Sequence, residues 1–131
     1  MKVYLDTNII IDFLEDRVNL FGKSLGDRAA RFFQRTLECK HFLIISDHAL
    51  YELGKRGINL DKTPFIQLFK KKIEFVETTD DDKKKAKNLN PGNYPDALHV
   101  ILARKAKADV IVTRNLEDFI GYFPCSLPED L

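Results

Sequence analysis

Bulk properties that would tie a chain to an oxidising compartment, a membrane or a polyanion are all scarce here. Only two cysteines occur, Cys39 and Cys125, far apart and with no further Cys or His at zinc-finger spacing. That argues against a disulfide scaffold and against a structural zinc module, and both are read as reduced thiols. No apolar run approaches the roughly 18 residues that a membrane span needs. Asp6 and Asp12 interrupt the N-terminal apolar stretch where a signal peptide would be continuous. A soluble, cytoplasmic protein is expected. Charge of one sign is also lacking, with 21 Lys plus Arg against 20 Asp plus Glu, so only the local arrangement of charge bears on nucleic acid. Internal repeats, low-complexity tracts and linkers are absent, as is any Ser–His or Cys–His arrangement suited to nucleophilic catalysis.

What is present suffices for one domain, residues 1–131. The apolar fraction of 44% includes ten Phe, enough to fill a core at this length. Short β-branched runs alternate with helical patterns. "VYL" (3–5), "FLII" (42–45), "IEFVE" (73–77) and "DVIVT" (109–113) read as strands, with "YFP" (122–124) as a short edge strand. Leu25, Ala29, Phe32, Phe33 and Leu37 recur at helical spacing, as do Ala97, Val100, Ile101 and Ala108. Ser46 and Thr79 read as N-caps, Gly57 as a helix stop, and Pro95 as a first-turn proline. Strands alternating with helices predict an α/β fold, a parallel sheet of about five strands sandwiched between helices.

In such sheets ligands lie beyond the carboxyl ends of the strands, where strand order reverses. In "KVYLDTNIIIDFLE", Asp6 directly follows the first strand and stands between two apolar runs. A buried carboxylate there is costly unless it is paired, hydrogen-bonded or neutralised by a metal. Asn115 and Asp118 follow the fourth strand in "IVTRNLEDF". Glu52 ("SDHALYELGKR") and Asp96 ("NYPDALHVILA") come from helix starts. Each has an ordinary structural explanation: Asp6 as a cap, Glu52 paired with Arg56 four residues on, Asp96 against a helix dipole, Asp118 as a cap or solvated. Those explanations do not account for all four arising at the active edge. Converging carboxylates of this kind suit Mg²⁺ or Mn²⁺.

These segments, in this order, resemble the PIN-domain family of metal-dependent nucleases over essentially the whole length. "VYLDTNIIIDFL", "ALYELGKR", "YPDALHVILARKAKADVIVT" and "TRNLEDF" are similar to its four acidic segments, in the manner of VapBC-type toxins and their stand-alone archaeal relatives. The resemblance implies a PIN-like fold and hydrolysis of RNA phosphodiesters, leaving 5′-phosphate and 3′-hydroxyl ends. It implies that Asp6, Glu52 and Asp96 are metal-binding carboxylates, with Asp118 as the fourth acid. Asn8 and Thr113 would orient them, and Asn115 stands where many members carry Asp. It further implies Mg²⁺ or Mn²⁺ as cofactor, RNA as substrate, a small antitoxin protein as a possible partner, and a possible homodimer.

Among cations, Arg114 is the candidate for RNA contact because "TRN" adjoins the acids. The runs Lys70–Lys72, Lys83–Lys87 and Arg104–Lys107 read as solvated helix faces. His48 is placed to pair with Glu52, whereas His41 and His99 are read as ordinary partly buried residues. The segment 59–72 is amphipathic, with Phe65, Leu68 and Phe69 on one side, and is expected to cover the core. Two other readings remain. One is a PIN-like module that binds RNA or assembles without cutting. The other is a Mg²⁺-dependent phosphotransfer domain, disfavoured because Asn8 replaces the second Asp of one such family and the acidic pair and Lys of another are missing.

Overall fold

The computed structural model describes residues 1–15, 24–38 and 41–131. Cys39 lies outside them, and Cys125 is a free thiol. Five strands form one parallel sheet: β1 (Lys2–Leu5), β2 (Phe42–Ser46), β3 (Ile73–Val76), β4 (Val110–Val112) and β5 (Cys125–Ser126), in the order β3-β2-β1-β4-β5. The chain runs outward from β1 to β3, then crosses back to β4. The reversal therefore falls between β1 and β4, which pair with Tyr4 opposite Ile111 and Leu5 opposite Val112.

Period-two alternation along the central strands divides the core. Val3, Leu5, Leu43, Ile45, Val110 and Val112 face one side; Tyr4, Ile44 and Ile111 face the other. The first side is covered by α1 (Thr7–Glu15), α2 (Leu25–Leu37), α3 (Asp47–Lys55) and α4 (Phe65–Phe69), whose Phe32, Phe33, Phe65 and Phe69 are buried. The second is covered by α5 (Asp80–Leu89), α6 (Tyr94–Lys105) and α7 (Leu116–Phe119). On α6 every residue from Ala97 to Ala103 is buried, so this helix is enclosed by the sheet and its neighbours.

The helix signals act as read. Ser46 Oγ accepts the Ala49 N–H at 3.0 Å. Thr79 and Asp82 form a reciprocal capping box at the start of α5. Gly57, at φ +77°, closes the turn after α3 in a left-handed conformation open to glycine.

Three expectations shift. On α2 the buried position beside Phe33 is taken by Thr36, while Leu37 is exposed. Thr36 tolerates burial because its hydroxyl reaches His41 Nε2 and the Phe32 carbonyl. On α4, Phe65 and Phe69 are four residues apart and buried, but Leu68 falls off that stripe and is exposed. The last strand is Cys125–Ser126 rather than 122–124. Tyr122 and Phe123 donate their N–H groups back to the Phe119 carbonyl in the turn closing α7, and pairing with β4 begins only at Pro124, whose carbonyl accepts from Ile111.

Among the described residues, no helix is long and apolar enough to cross a membrane.

Candidate active site

The alternation that builds the core also aims the site. Asp6 continues β1 on the side of Tyr4, and its N–H donates to the Val112 carbonyl at 3.0 Å. Thr113 continues β4 on the side of Ile111, so the two side chains meet. Thr113 Oγ1 accepts the Asn115 N–H at 2.9 Å, which directs its own proton to Asp6 Oδ2 at 2.8 Å. Asp6 is only 5% exposed. Burial raises its pKa, and the charge of Glu52 adds to this, against lowering by His99 and the Thr113 hydrogen bond. At the start of α1 the Asp6 backbone carbonyl accepts from Ile9, while its carboxylate reaches across to Thr113.

Asp96, in the first turn of α6, is the second carboxylate. Its Oδ2 accepts the Asn93 amide at 2.8 Å. Burial raises its pKa, and although the Asn93 bond lowers it, the charges of Asp6 and Asp118 lift it further. Asp118, half-buried on α7, lies near enough for its charge to act on Asp96, but it is not on the crevice wall. Asp6, Asn8, Glu52 and Asp96 line one crevice of about 260 Å³, together with Thr7, Lys55 and Arg56.

Glu52, from α3, is held differently. Its Oε1 accepts from Thr7 Oγ1 and from His99 Nε2, both at 2.7 Å, with His48 Nε2 at 3.8 Å. Burial alone would raise its pKa, but the hydrogen bond and charge of His99, then Thr7 and His48, hold it down to about 2. His99 is fully enclosed; burial opposes its charge, while the Glu52 bond and the charges of Asp6, Glu52 and Asp96 raise its pKa. Its Nδ1 lies 2.6 Å from the Tyr4 hydroxyl, itself 2.8 Å from Ser46 Oγ. A hydroxyl there serves as donor or acceptor and accommodates either charge state of the ring.

His99 therefore belongs to the site, contrary to its reading as an ordinary partly buried residue. The available signal was its position three residues after Asp96, which places both on one face of α6. Thr7 was missed because a residue between an acid and an amide at a helix start reads as local capping. Arg56 does not pair with Glu52; its Nη2 reaches Glu15 at 3.0 Å across to α1. Arg114 is engaged away from the crevice: its guanidinium bonds Asp12 at 3.4 Å and Glu129, and its side chain is 14% exposed.

Among the described residues, His48, Glu52 and His99 place one ligand atom each within 4.8 Å of one another, which is close enough to surround a cation. The ring nitrogens are otherwise committed, however. His99 Nε2 gives its proton to Glu52, and His48 Nε2 faces the Pro95 carbonyl at 3.2 Å. The carboxylates are the better donors. Asp6, Asp96 and Glu52 each have one oxygen hydrogen-bonded to a side chain; of the other oxygens, Asp6 Oδ1 lies 3.7 Å from His99 Nε2, beyond hydrogen-bond distance. Anchored carboxylates with a remaining oxygen fit a hard divalent cation.

Compared with known sequences, residues 2–117 match the PIN domain. The chain belongs to the PIN domain family. No curated protein matches its sequence significantly. Among solved structures, it is similar to a toxin–antitoxin complex from Klebsiella pneumoniae, at TM-score 0.64 and 20% identity over 96% of this PIN domain and 97% of that chain. It is similar to VapBC2 from Rickettsia felis bound to a promoter DNA fragment, at TM-score 0.63 and 17% identity over 97% and 98%. The PIN domain endonuclease Utp24 gives TM-score 0.51 and 22% identity over 95% and 82%. Likeness at these identities establishes the shared fold.

Proposed function

We propose that this PIN domain is a divalent-metal-dependent ribonuclease that hydrolyses RNA phosphodiesters at the Asp6–Asp96 crevice. The observation that carries the reading is the half-anchored state of its carboxylates. Asp6 Oδ2, Asp96 Oδ2 and Glu52 Oε1 are each tied to a protein donor, leaving one oxygen apiece for a ligand. Asp6 and Asp96 also have raised pKa values and no Lys or Arg partner among the described residues. His99, with Nε2 3.7 Å from Asp6 Oδ1, offsets only part of this, because both pKa values stay raised, and groups so placed favour a bound cation.

In this reading Asp6 and Asp96 hold Mg²⁺ or Mn²⁺, with Asp118 completing the site. A bound divalent ion supplies an acidified water and charge stabilisation on the leaving oxygen. Thr113 and Asn93 fix the two aspartates in orientation. Glu52, kept ionised by His99 and Thr7, holds or orients the attacking water through Oε2. Asn8, on the crevice wall, orients the acids from the start of α1, and Asn115 acts through its N–H on Thr113. Lys55 and Arg56, on the same wall, are better placed for a phosphate than Arg114.

The toxin–antitoxin neighbours favour a small antitoxin as partner, and the family resemblance implies a homodimer as the assembly. Both are checked by co-expressing the chain with any small protein encoded beside its gene and measuring the mass of the complex.

The test of the activity is incubation of a mixed single-stranded RNA pool with Mg²⁺, Mn²⁺ or EDTA. Cutting with either metal, absent in EDTA and leaving 5′-phosphate ends, is expected. Intact RNA under every metal, with RNA retained by the protein, would favour a binding module instead.

A further inference from the structure

A second cavity, of about 390 Å³, opens beside the acidic crevice, between the start of α3 and the starts of α5 and α6. Its walls include Tyr51 and Tyr94, with His48 between the two cavities and Lys83 at the α5 edge. The size is that of small-molecule sites, about 300–1,000 Å³. Its position is fixed by the chain: Tyr51 precedes Glu52, and Tyr94 stands two residues before Asp96. His48 lines the cavity while its Nε2 lies 3.8 Å from Glu52 Oε1.

Tyr51 is 61% exposed, unusual for so large a ring. The Lys55 ammonium sits 4.7 Å from the centre of that ring, and Lys55 also lines the acidic crevice. Asp47, the acid on the cavity wall, is turned to the loop between β3 and α5, accepting the Thr78 N–H at 3.0 Å and its hydroxyl at 2.5 Å. Aromatic walls flanked by Lys55 and Lys83 are the combination that single-stranded nucleic acid uses: bases stack on π-faces while cations track the backbone.

We infer that the Tyr51–Tyr94 cleft seats an unpaired nucleobase of the RNA strand whose phosphodiester lies in the Asp6–Asp96 crevice. The inference rests on the ribonuclease reading, because a phosphodiester held there has a nucleotide on each side and the cleft adjoins it. Lys55 then lies between base and scissile phosphate, and the site selects unpaired over duplex RNA.

The test measures affinity for a short labelled single-stranded RNA of mixed sequence, with Ca²⁺ replacing Mg²⁺, alongside cleavage in Mg²⁺. Tyr51→Leu and Tyr94→Leu keep apolar packing but lack a π-face; Tyr51→Phe and Tyr94→Phe keep it. The Leu variants are expected to bind about 5- to 150-fold more weakly, the range of one lost stack, and the Phe variants within about twofold of wild type. A single abasic position in the RNA should produce the same loss and abolish sensitivity to the Leu changes. Leu variants that bind and cut like wild type overturn this inference and leave the ribonuclease standing. So does a Leu effect unchanged by abasic substitution at any position. Unchanged RNA affinity with loss of a bound polypeptide would give the cleft to a protein and overturn it. Wild-type protein that neither binds nor cuts RNA removes both readings.

Discussion

Two groups of buried and half-buried acids lie near the carboxyl ends of β1 and β4, and their surroundings differ. In one, Asp12 and Glu129 are matched by Arg114 and Arg28: Arg114 bridges both acids, and Arg28 Nη1 meets Glu129 at 2.5 Å. This clasp ties the C-terminal turn to α1 and α2. In the other, Glu52 meets His48 and His99, Asp6 faces His99, and no Lys or Arg among the described residues is ion-paired with Asp6, Glu52, Asp96 or Asp118. Glu129 has its pKa lowered, since its hydrogen bonds and the nearby arginines outweigh the raising effect of burial, whereas those of Asp6 and Asp96 are raised. Acids that only hold a fold come with their counter-charge supplied by the chain. In the crevice Glu52 is matched by His99, and in the proposed function the remaining counter-charge for Asp6 and Asp96 comes from a bound divalent ion.

The largest expected effect separates the two groups by activity. Asp6→Asn and Asp96→Asn should each lower RNA cleavage by at least about 100-fold, the upper range for residues that merely support a metal ligand. Their unfolding midpoints in EDTA should match or exceed wild type, because each removes a charge that the folded state disfavours. A fall in those midpoints would break the contrast.

Opening the clasp should do the reverse. Arg114→Met removes the guanidinium that bridges Asp12 and Glu129 and should lower the unfolding midpoint in denaturant titration, with RNA affinity unchanged. Weaker RNA binding by the folded variant would restore Arg114 as an RNA contact.

Metal provides the next distinction. Mg²⁺ at about a hundredfold excess over its Kd should stabilise the wild type by about 2.7 kcal/mol. Arg114→Met should gain as much from its own lower baseline, and Asp6→Asn should gain little.

The smallest effect is in pH. For Glu129 the folded pKa is depressed, so its contribution is present above the unfolded value near 4.5 and is lost as pH falls through the folded value. Glu129→Gln should therefore cost about 1 kcal/mol near neutral pH and little in acid. Asp6 has the opposite sign: its folded pKa is raised, so metal-free wild type should gain on Asp6→Asn as pH falls through that value. Parallel pH profiles for the two variants would remove the distinction.

Much of the architecture was legible because local signals agreed. Alternation in "VYL" and "VIV", the caps at Ser46 and Thr79, and the glycine stop at Gly57 all point the same way, and placing β1 beside β4 brings Asp6 to Thr113. Contacts that depend on distant elements were not legible. Nothing near Arg114 in sequence signals Glu129 or Asp12, so "TRN" beside the acids suggested an RNA contact. His99 reads as one more buried residue until α3 brings Glu52 to it. Tyr51 and Tyr94 lie in separate helices, and only the packing of α3 beside α6 puts them in one cleft.

The most direct measurement is RNA cleavage in Mg²⁺ and in EDTA by wild type, Asp6→Asn, Asp96→Asn and Arg114→Met, each verified as folded. The account predicts metal-dependent cutting by wild type and Arg114→Met and none by the two aspartate variants. Cutting that persists in EDTA, or in both aspartate variants, would contradict it.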